Sequence, residues 1–215
     1  MFRLVFLAVF LFHSAVFALG QERGNGGYII SCEGQAQDEF LDYYAARMTY
    51  NNRRAIPLLP LDGTAYDKAK KAFEKYGELE PVLAAKFQKH LEAFASLVVF
   101  VESFSSYFVT RDSSWKRELS PYCDLKQMIV QLYDGSTKYY VHQGYWSRIS
   151  EDQKAAAMIH EIAYNEFLNH NGNYGVDDKP VRQLSSFIIA LAGGVVTPKV
   201  YTQSDLAFLV ASFWK

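Results

Sequence analysis

Met128-Ile129-Val130-Gln131-Leu132-Tyr133-Asp134-Gly135-Ser136-Thr137-Lys138-Tyr139-Tyr140-Val141-His142 is the stretch that decides the fold class. Two runs rich in β-branched and aromatic residues flank Asp134-Gly135. Asp-Gly in that position is a strong hairpin signal, because the tight turn that matches the twist of paired strands needs positive φ at its centre. An antiparallel pair is therefore expected. Just beyond it the period changes. Ser150, with Gln153 three residues on, is expected to cap a helix running to about Asn169. A polar Gly- and Asn-rich loop follows at 171–178, then two further helices at about 181–191 and 204–214.

Upstream, Leu97-Val98-Val99-Phe100-Val101 and Tyr107-Phe108-Val109-Thr110 read as short strands. Before them the chain is helical. Residues 37–52 place Phe40, Leu41, Tyr44, Ala45 and Met48 on one face. Thr64 and Asp67 cap a helix that Gly77 ends, and Pro81 opens a third that runs to about residue 95. Tyr28-Ile29-Ile30-Ser31-Cys32 reads as a short strand behind a flexible Gly24–Gly27. The expected class is α+β: a helical N-terminal half, a small antiparallel sheet with a hairpin, and C-terminal helices packed on it.

Residues 1–20 are expected to be a cleaved secretory signal. Met1-Phe2-Arg3 is a minimal positive start, Leu4 to Phe12 an apolar run, and Ala15 to Gly20 a stretch with small residues at plausible cleavage positions. The run is too short for a spanning helix, which needs about 20 apolar residues. No later segment has that many, so no transmembrane span is expected after cleavage. Residues 21–215 are expected to form one domain.

The formal charge is −1, or −2 without residues 1–20, whose only charged side chain is Arg3. Such a balance offers no electrostatic argument for nucleic acid or for an anionic membrane. With 15 Tyr and 16 Phe the chain has too much apolar surface to stay disordered. The two cysteines, Cys32 and Cys123, are expected to pair in an oxidising compartment. The bridge would close a loop of about 90 residues, worth roughly 4–5 kcal/mol by chain entropy. Alone they are no zinc motif.

One segment could carry chemistry. Ala155-Ala156-Ala157-Met158-Ile159-His160-Glu161-Ile162-Ala163-Tyr164 is an apolar helix with a His-Glu pair. In His-Glu-x-x-His zinc enzymes two imidazoles one turn apart hold the metal, and the Glu acts as general base on its water. Here the second position is Tyr164, a hydrogen-bond donor but a poor zinc ligand. His170 stands where a longer form of the motif has a third histidine, but Phe167 replaces the Gly that turns the chain back. Ten residues of continuous helix separate His160 and His170 by about 15 Å. The competing reading puts His160, Tyr164 and Phe167 on the edge of an apolar arc centred on Met158, Ile159, Ile162 and Ala163. Glu161 then points elsewhere, and His160 bonds to a neighbouring strand near His142. His90 reads as part of a solvated helix face. No serine-nucleophile elbow, phosphate loop or cysteine-nucleophile pattern occurs.

Three stretches carry a resemblance: Gly24-Asn25-Gly26-Gly27 followed by Cys32; Pro121-Tyr122-Cys123-Asp124-Leu125-Lys126-Gln127 leading into a strand; and the helix from Gln153 to Tyr164. In these the chain resembles a group of uncharacterised exported proteins of Gram-negative bacteria, predatory ones among them. Those proteins commonly keep the His-Glu pair followed by Tyr at the position of Tyr164, often with a basic residue where this chain has Asn165. The resemblance implies export and fold rather than an activity.

The expected function is that of an exported soluble protein, periplasmic or extracellular, acting by surface interaction without catalysis, cofactor or nucleic-acid partner. The alternative is a divergent zinc-dependent hydrolase with Glu161 as base, Tyr164 as transition-state donor, and His160, His142 and His170 as metal ligands.

Overall fold

The computed structural model describes residues 21–34, 37–104, 119–133, 136–171 and 179–197. The expected signal at 1–20, the strand at 107–110, the Asp134-Gly135 turn, the 171–178 loop beyond Asn171 (itself the last residue of a helix) and the helix at 204–214 lie outside the described residues. The hairpin strands are β4 (Cys123–Tyr133) and β5 (Thr137–His142), antiparallel with Tyr133 opposite Thr137 and Ile129 opposite Val141. Three more strands join them: β1 (Gln21–Cys32), β2 (Glu39–Phe40) and β3 (Val98–Val101). The sheet order is β2-β1-β4-β5-β3. The helices among the described residues are α1 (Leu41–Tyr50), α2 (Ala65–Tyr76), α3 (Pro81–Leu97), α4 (Gln143–Trp146), α5 (Glu151–Asn171) and α6 (Lys179–Ala192). The class is α+β, as the hairpin implies, with two differences inside the sheet.

The first is β1. It is a strand of 12 residues paired along its length with β4, and Gly24–Gly27 belongs to it rather than to a flexible lead-in. Its register slips between Glu22 and Gly24, between Gly24 and Gly27, and again before Tyr28. Glycines suit such bulges, which is why the segment lacks the β-branched signature of a strand. Gly27 has a further reason. A Cβ there would lie 2.5 Å from the Ile129 Cβ and 2.7 Å from Glu161 Oε1, so the helix can approach the strand only because the side chain is missing.

The second is β3, which runs parallel to β5 and makes the sheet mixed rather than antiparallel throughout. Helix α3 packs against β5, and its last residue, Leu97, leads straight into Val98. The chain therefore enters β3 in the direction the helix delivers it.

Local signals hold at the helix ends. Thr64 and Asp67 form a reciprocal capping box at the start of α2. The Ser150 hydroxyl accepts the Gln153 amide at 3.3 Å at the start of α5, while the Gln153 side chain accepts the amide of Phe40 at 2.9 Å, tying the entrance of α1 to α5. Cys32 and Cys123 stand opposite each other at the end of the β1–β4 ladder and are joined by a disulfide. No described helix is long and apolar enough to cross a membrane.

The core gathers around α5, which packs against α1, α2, α3, α6, β1 and β2. Every residue from 159 to 168 is buried. A helix enclosed on all sides has no solvent face, and this fact reorders the reading of its polar residues.

Candidate functional site

The polar residues of α5 between 159 and 168 are enclosed with its apolar ones, so each must find a partner inside the protein or carry a desolvation cost. His160 does not bond to a strand near His142. Its Nδ1 lies 2.5 Å from Oδ2 of Asp42 on the first turn of α1, a residue 118 positions away. The other Asp42 oxygen accepts Nη1 of Arg182 on α6 at 2.8 Å. The Ser185 hydroxyl, one turn beyond Arg182, also donates to the carboxylate, and the Ser186 hydroxyl donates to the Asp42 carbonyl at 3.2 Å. Asp42, His160, Arg182 and Ser185 are all buried. One carboxylate thus clasps three helices.

The imidazole sits among rings. Phe40 meets it edge-on with centroids 6.0 Å apart, and Tyr164, one turn along α5, stacks nearly parallel at 5.9 Å. Nε2 of His160 has no hydrogen-bond partner among the described residues.

Glu161 leaves the helix toward the sheet. It is fully buried, against the expectation that it points away from the core. Its Oε2 accepts the Gln131 side chain of β4 at 2.7 Å, and the same amide donates to the Glu161 carbonyl at 2.7 Å. Its Oε1 lies against Gly27 without a hydrogen-bond donor among the described residues. One turn on, Asn165 donates to Thr137 at 2.8 Å, and Asn169 donates to Asn165 at 2.9 Å. Asn165, where the resembled proteins often carry a basic residue, thus serves as a neutral amide between α5 and the hairpin.

Burial shifts these groups in ways their neighbours modify. Desolvation is the largest influence on His160 and opposes its charged form, but the Asp42 carboxylate outweighs it, and the imidazole titrates above its ordinary value. Desolvation likewise works against the Asp42 carboxylate, yet His160 and Arg182 together hold it below the usual range. Glu161 has weaker help. Burial pushes its carboxyl up to about 7, with His160 and Gln131 only partly opposing that rise. Near neutral pH Glu161 is therefore half-titrated, beside an imidazole whose pKa is raised and a carboxylate whose pKa is lowered.

The other proposed ligands stand apart from this cluster. Helix α5 is continuous through His170, so His170 lies about 15 Å along the axis from His160, and it is exposed. His142 precedes α4 with its ring stacked on Tyr145 at 4.1 Å and met by Phe104 at 5.8 Å. Among the described residues no three His, Cys, Asp or Glu side chains come together as metal ligands.

Sequence reasoning missed Asp42, Arg182, Ser185 and Gln131. Arg182 left one signal, a lone charge among the apolar residues that follow Pro180 in α6. Asp42 left none, since an acidic residue at a helix start reads as a favourable surface group. Comparison with family models, with curated proteins and with solved structures gives no match.

Proposed function

We propose that the chain is an exported, soluble protein that acts by surface contact, and that the His160-Glu161 pair serves its fold rather than a reaction. The observation that carries this reading is the enclosure of the pair. His160 is tied to Asp42 beneath two aromatic rings, and Glu161 is tied to Gln131 against the sheet. Both partners hold elements together: Asp42 joins α1, α5 and α6, and Gln131 joins β4 to α5. Export is supported by the Cys32–Cys123 disulfide, since such bonds persist in oxidising compartments. It is also supported by the character of residues 1–20 and by the resemblance to exported proteins of Gram-negative bacteria.

The test is the metal content and stability of the purified mature protein, wild type beside His160→Ala. The expected result is no stoichiometric metal in either protein and a large loss of stability in the variant, because Asp42 loses a partner in the core. Near-stoichiometric zinc that disappears with His160 overturns the reading and turns attention to hydrolysis.

A further inference from the structure

Residues 51–63 join α1 to α2 without regular structure, yet side chains from three helices hold much of this loop's main chain. Asn52 and Arg53 sit at φ 47° and 69°, a conformation that costs a residue with a side chain. Arg47 holds them there. Its carbonyl accepts the Arg53 amide at 3.0 Å, and its guanidinium donates to the Arg53 carbonyl at 2.9 Å. The Asn51 side chain donates to the carbonyls of Arg54 and Ala55. The Tyr43 hydroxyl accepts the Ile56 amide and donates to the Ile56 carbonyl, both at 2.9 Å. Asp152 accepts the Leu58 amide, and the buried Lys68 ammonium donates to the carbonyls of Leu58 and Leu61 at 2.8 and 3.1 Å. Ile56 packs so closely on the end of α6 that a Cβ on Gly193 would lie 2.1 Å from its methyl group.

This cage displays something. Ile56 and Leu58 point inward and are fully buried, whereas Leu59 and Leu61 on either side of Pro60 are 50 % and 69 % exposed. Carboxylates stand on the border of this apolar tip, with the exposed Lys70 near Asp67. Asp62 follows Leu61 directly. Asp67 lies beside it, since Pro60 and Asp67 both crowd the position a Gly63 Cβ would take. Hydrogen bonds from Thr64 hold the Asp67 carboxyl below its ordinary range, with Lys70 adding weakly. Glu151 reaches the same end of the loop through the Ala65 amide, with Lys154 as its partner. Lys68 is buried and engaged with Asp152, and the loop's exposed cations, Arg53 and Arg54, belong to its other end.

We propose that loop 51–63 is the docking element of this protein, inserting Leu59 and Leu61 into an apolar pocket of a protein partner whose rim carries lysine or arginine. The inference rests on the reading of the chain as one that works by surface contact, and it names the surface. A loop already held in shape loses little freedom on binding, which is the use of anchoring so much main chain to expose two leucines. An anionic lipid surface is the wrong sign for the carboxylates beside the tip. A second copy would meet the same sign at the hollow between α2 and α3, whose lining includes Pro81 and Ala84 together with Glu74 and Glu78.

The experiment places the photocrosslinker benzoylphenylalanine at position 59 or 61 of the full chain in the cell that produces it. Positions 82, 100 and 122, all exposed and outside the loop, serve as comparison. The expected result is one protein adduct at 59 and 61, its crosslinked peptide carrying lysine or arginine beside apolar residues. Asp62→Lys in the same chain should lower that adduct about tenfold without changing the melting temperature. Adducts to lipid, to a second copy, or to a partner indifferent to Asp62→Lys overturn the proposal. Adducts at 82, 100 or 122 but not at 59 and 61 overturn the loop assignment and leave the contact reading standing. No protein adduct at any of the five positions overturns both.

Discussion

Two regions of this molecule bury polar side chains for opposite ends. Around Asp42 the buried groups bind one another, so charge is matched with charge and the product is contact between α1, α5 and α6. Around loop 51–63 the buried or half-buried Tyr43, Lys68 and Asp152 bind main chain, and the product is a surface of fixed shape. The difference lies in what remains when one member is removed. In the first region an ion is left unpaired in an apolar core. In the second, main-chain groups of one loop lose a partner, and where Lys68 is removed the half-buried Asp152 loses its ion pair. The first kind of loss threatens the fold, and the second threatens only the loop.

The sharpest break in the comparison is Asp42→Asn. It leaves the His160 imidazolium and the Arg182 guanidinium without their shared carboxylate, and breaking a buried ion pair from one side costs about 3–5 kcal/mol. Urea unfolding at pH 6 measures it. A loss under 1 kcal/mol would mean that the clasp does not join the helices.

Glu161 tests the same region by pH. Its folded carboxyl titrates at about 7 against an ordinary 4.5, so between those values the folded state keeps a proton the unfolded chain releases. Its contribution is fully present below pH 4.5 and is lost as pH rises through 7, an effect on the order of 3 kcal/mol. His160, also raised, contributes stability below its ordinary value and loses it as pH climbs through the folded one. Asp42, lowered, acts the other way and loses its contribution only as pH falls below the ordinary carboxylate range. The fold is therefore expected to be most stable in mild acid. Glu161→Gln should match wild type near pH 4 and exceed it at pH 8.5 by about 3 kcal/mol. Equal stability at both values would place the Glu161 carboxyl in its ordinary range and remove this account of the core.

These residues also mark where the sequence was legible. The hairpin, the Thr64–Asp67 box and the extents of α2, α3, α5 and α6 follow from signals within a few residues of one another, and local physics sets them. The polarity of α5 does not. Its own periodicity shows an apolar arc with His160 on the edge, and that edge closes only because α1 arrives from 118 positions away and α6 packs beside it. The start of strand β1 was missed for a related reason. Gly27 answers to Ile129 and Glu161 across the fold, and a residue selected for having no side chain leaves no pattern of its own.

Lys68→Met sharpens the comparison from the loop side. It keeps the aliphatic stem and removes the donor to Leu58 and Leu61, which costs about 1–3 kcal/mol if both carbonyls stay buried and less if water reaches them. Limited proteolysis is expected to cut between residues 51 and 63 in the variant, while amide exchange in α5 stays as slow as in wild type. Cleavage accompanied by faster exchange in α5 would make the loop part of the core and erase the distinction drawn above.

The smallest effect is the most telling. Leu59→Ser with Leu61→Ser removes two exposed apolar side chains whose neighbours in the chain, Leu58 and Lys68, keep their places. Surface substitutions of this kind lie within about 0.5 kcal/mol, a shift of about 1–2 °C in melting temperature for a chain of this size. Exposed leucines on a flexible loop would be unremarkable, since much protein surface is apolar. Here Tyr43, Asn51, Lys68 and Asp152 hold the main chain that carries them, so a variant that melts with wild type but fails to crosslink separates the loop's shape from its purpose. A drop of several degrees would instead show the leucines packed on the protein's own surface, and the cage would then be explained by folding alone.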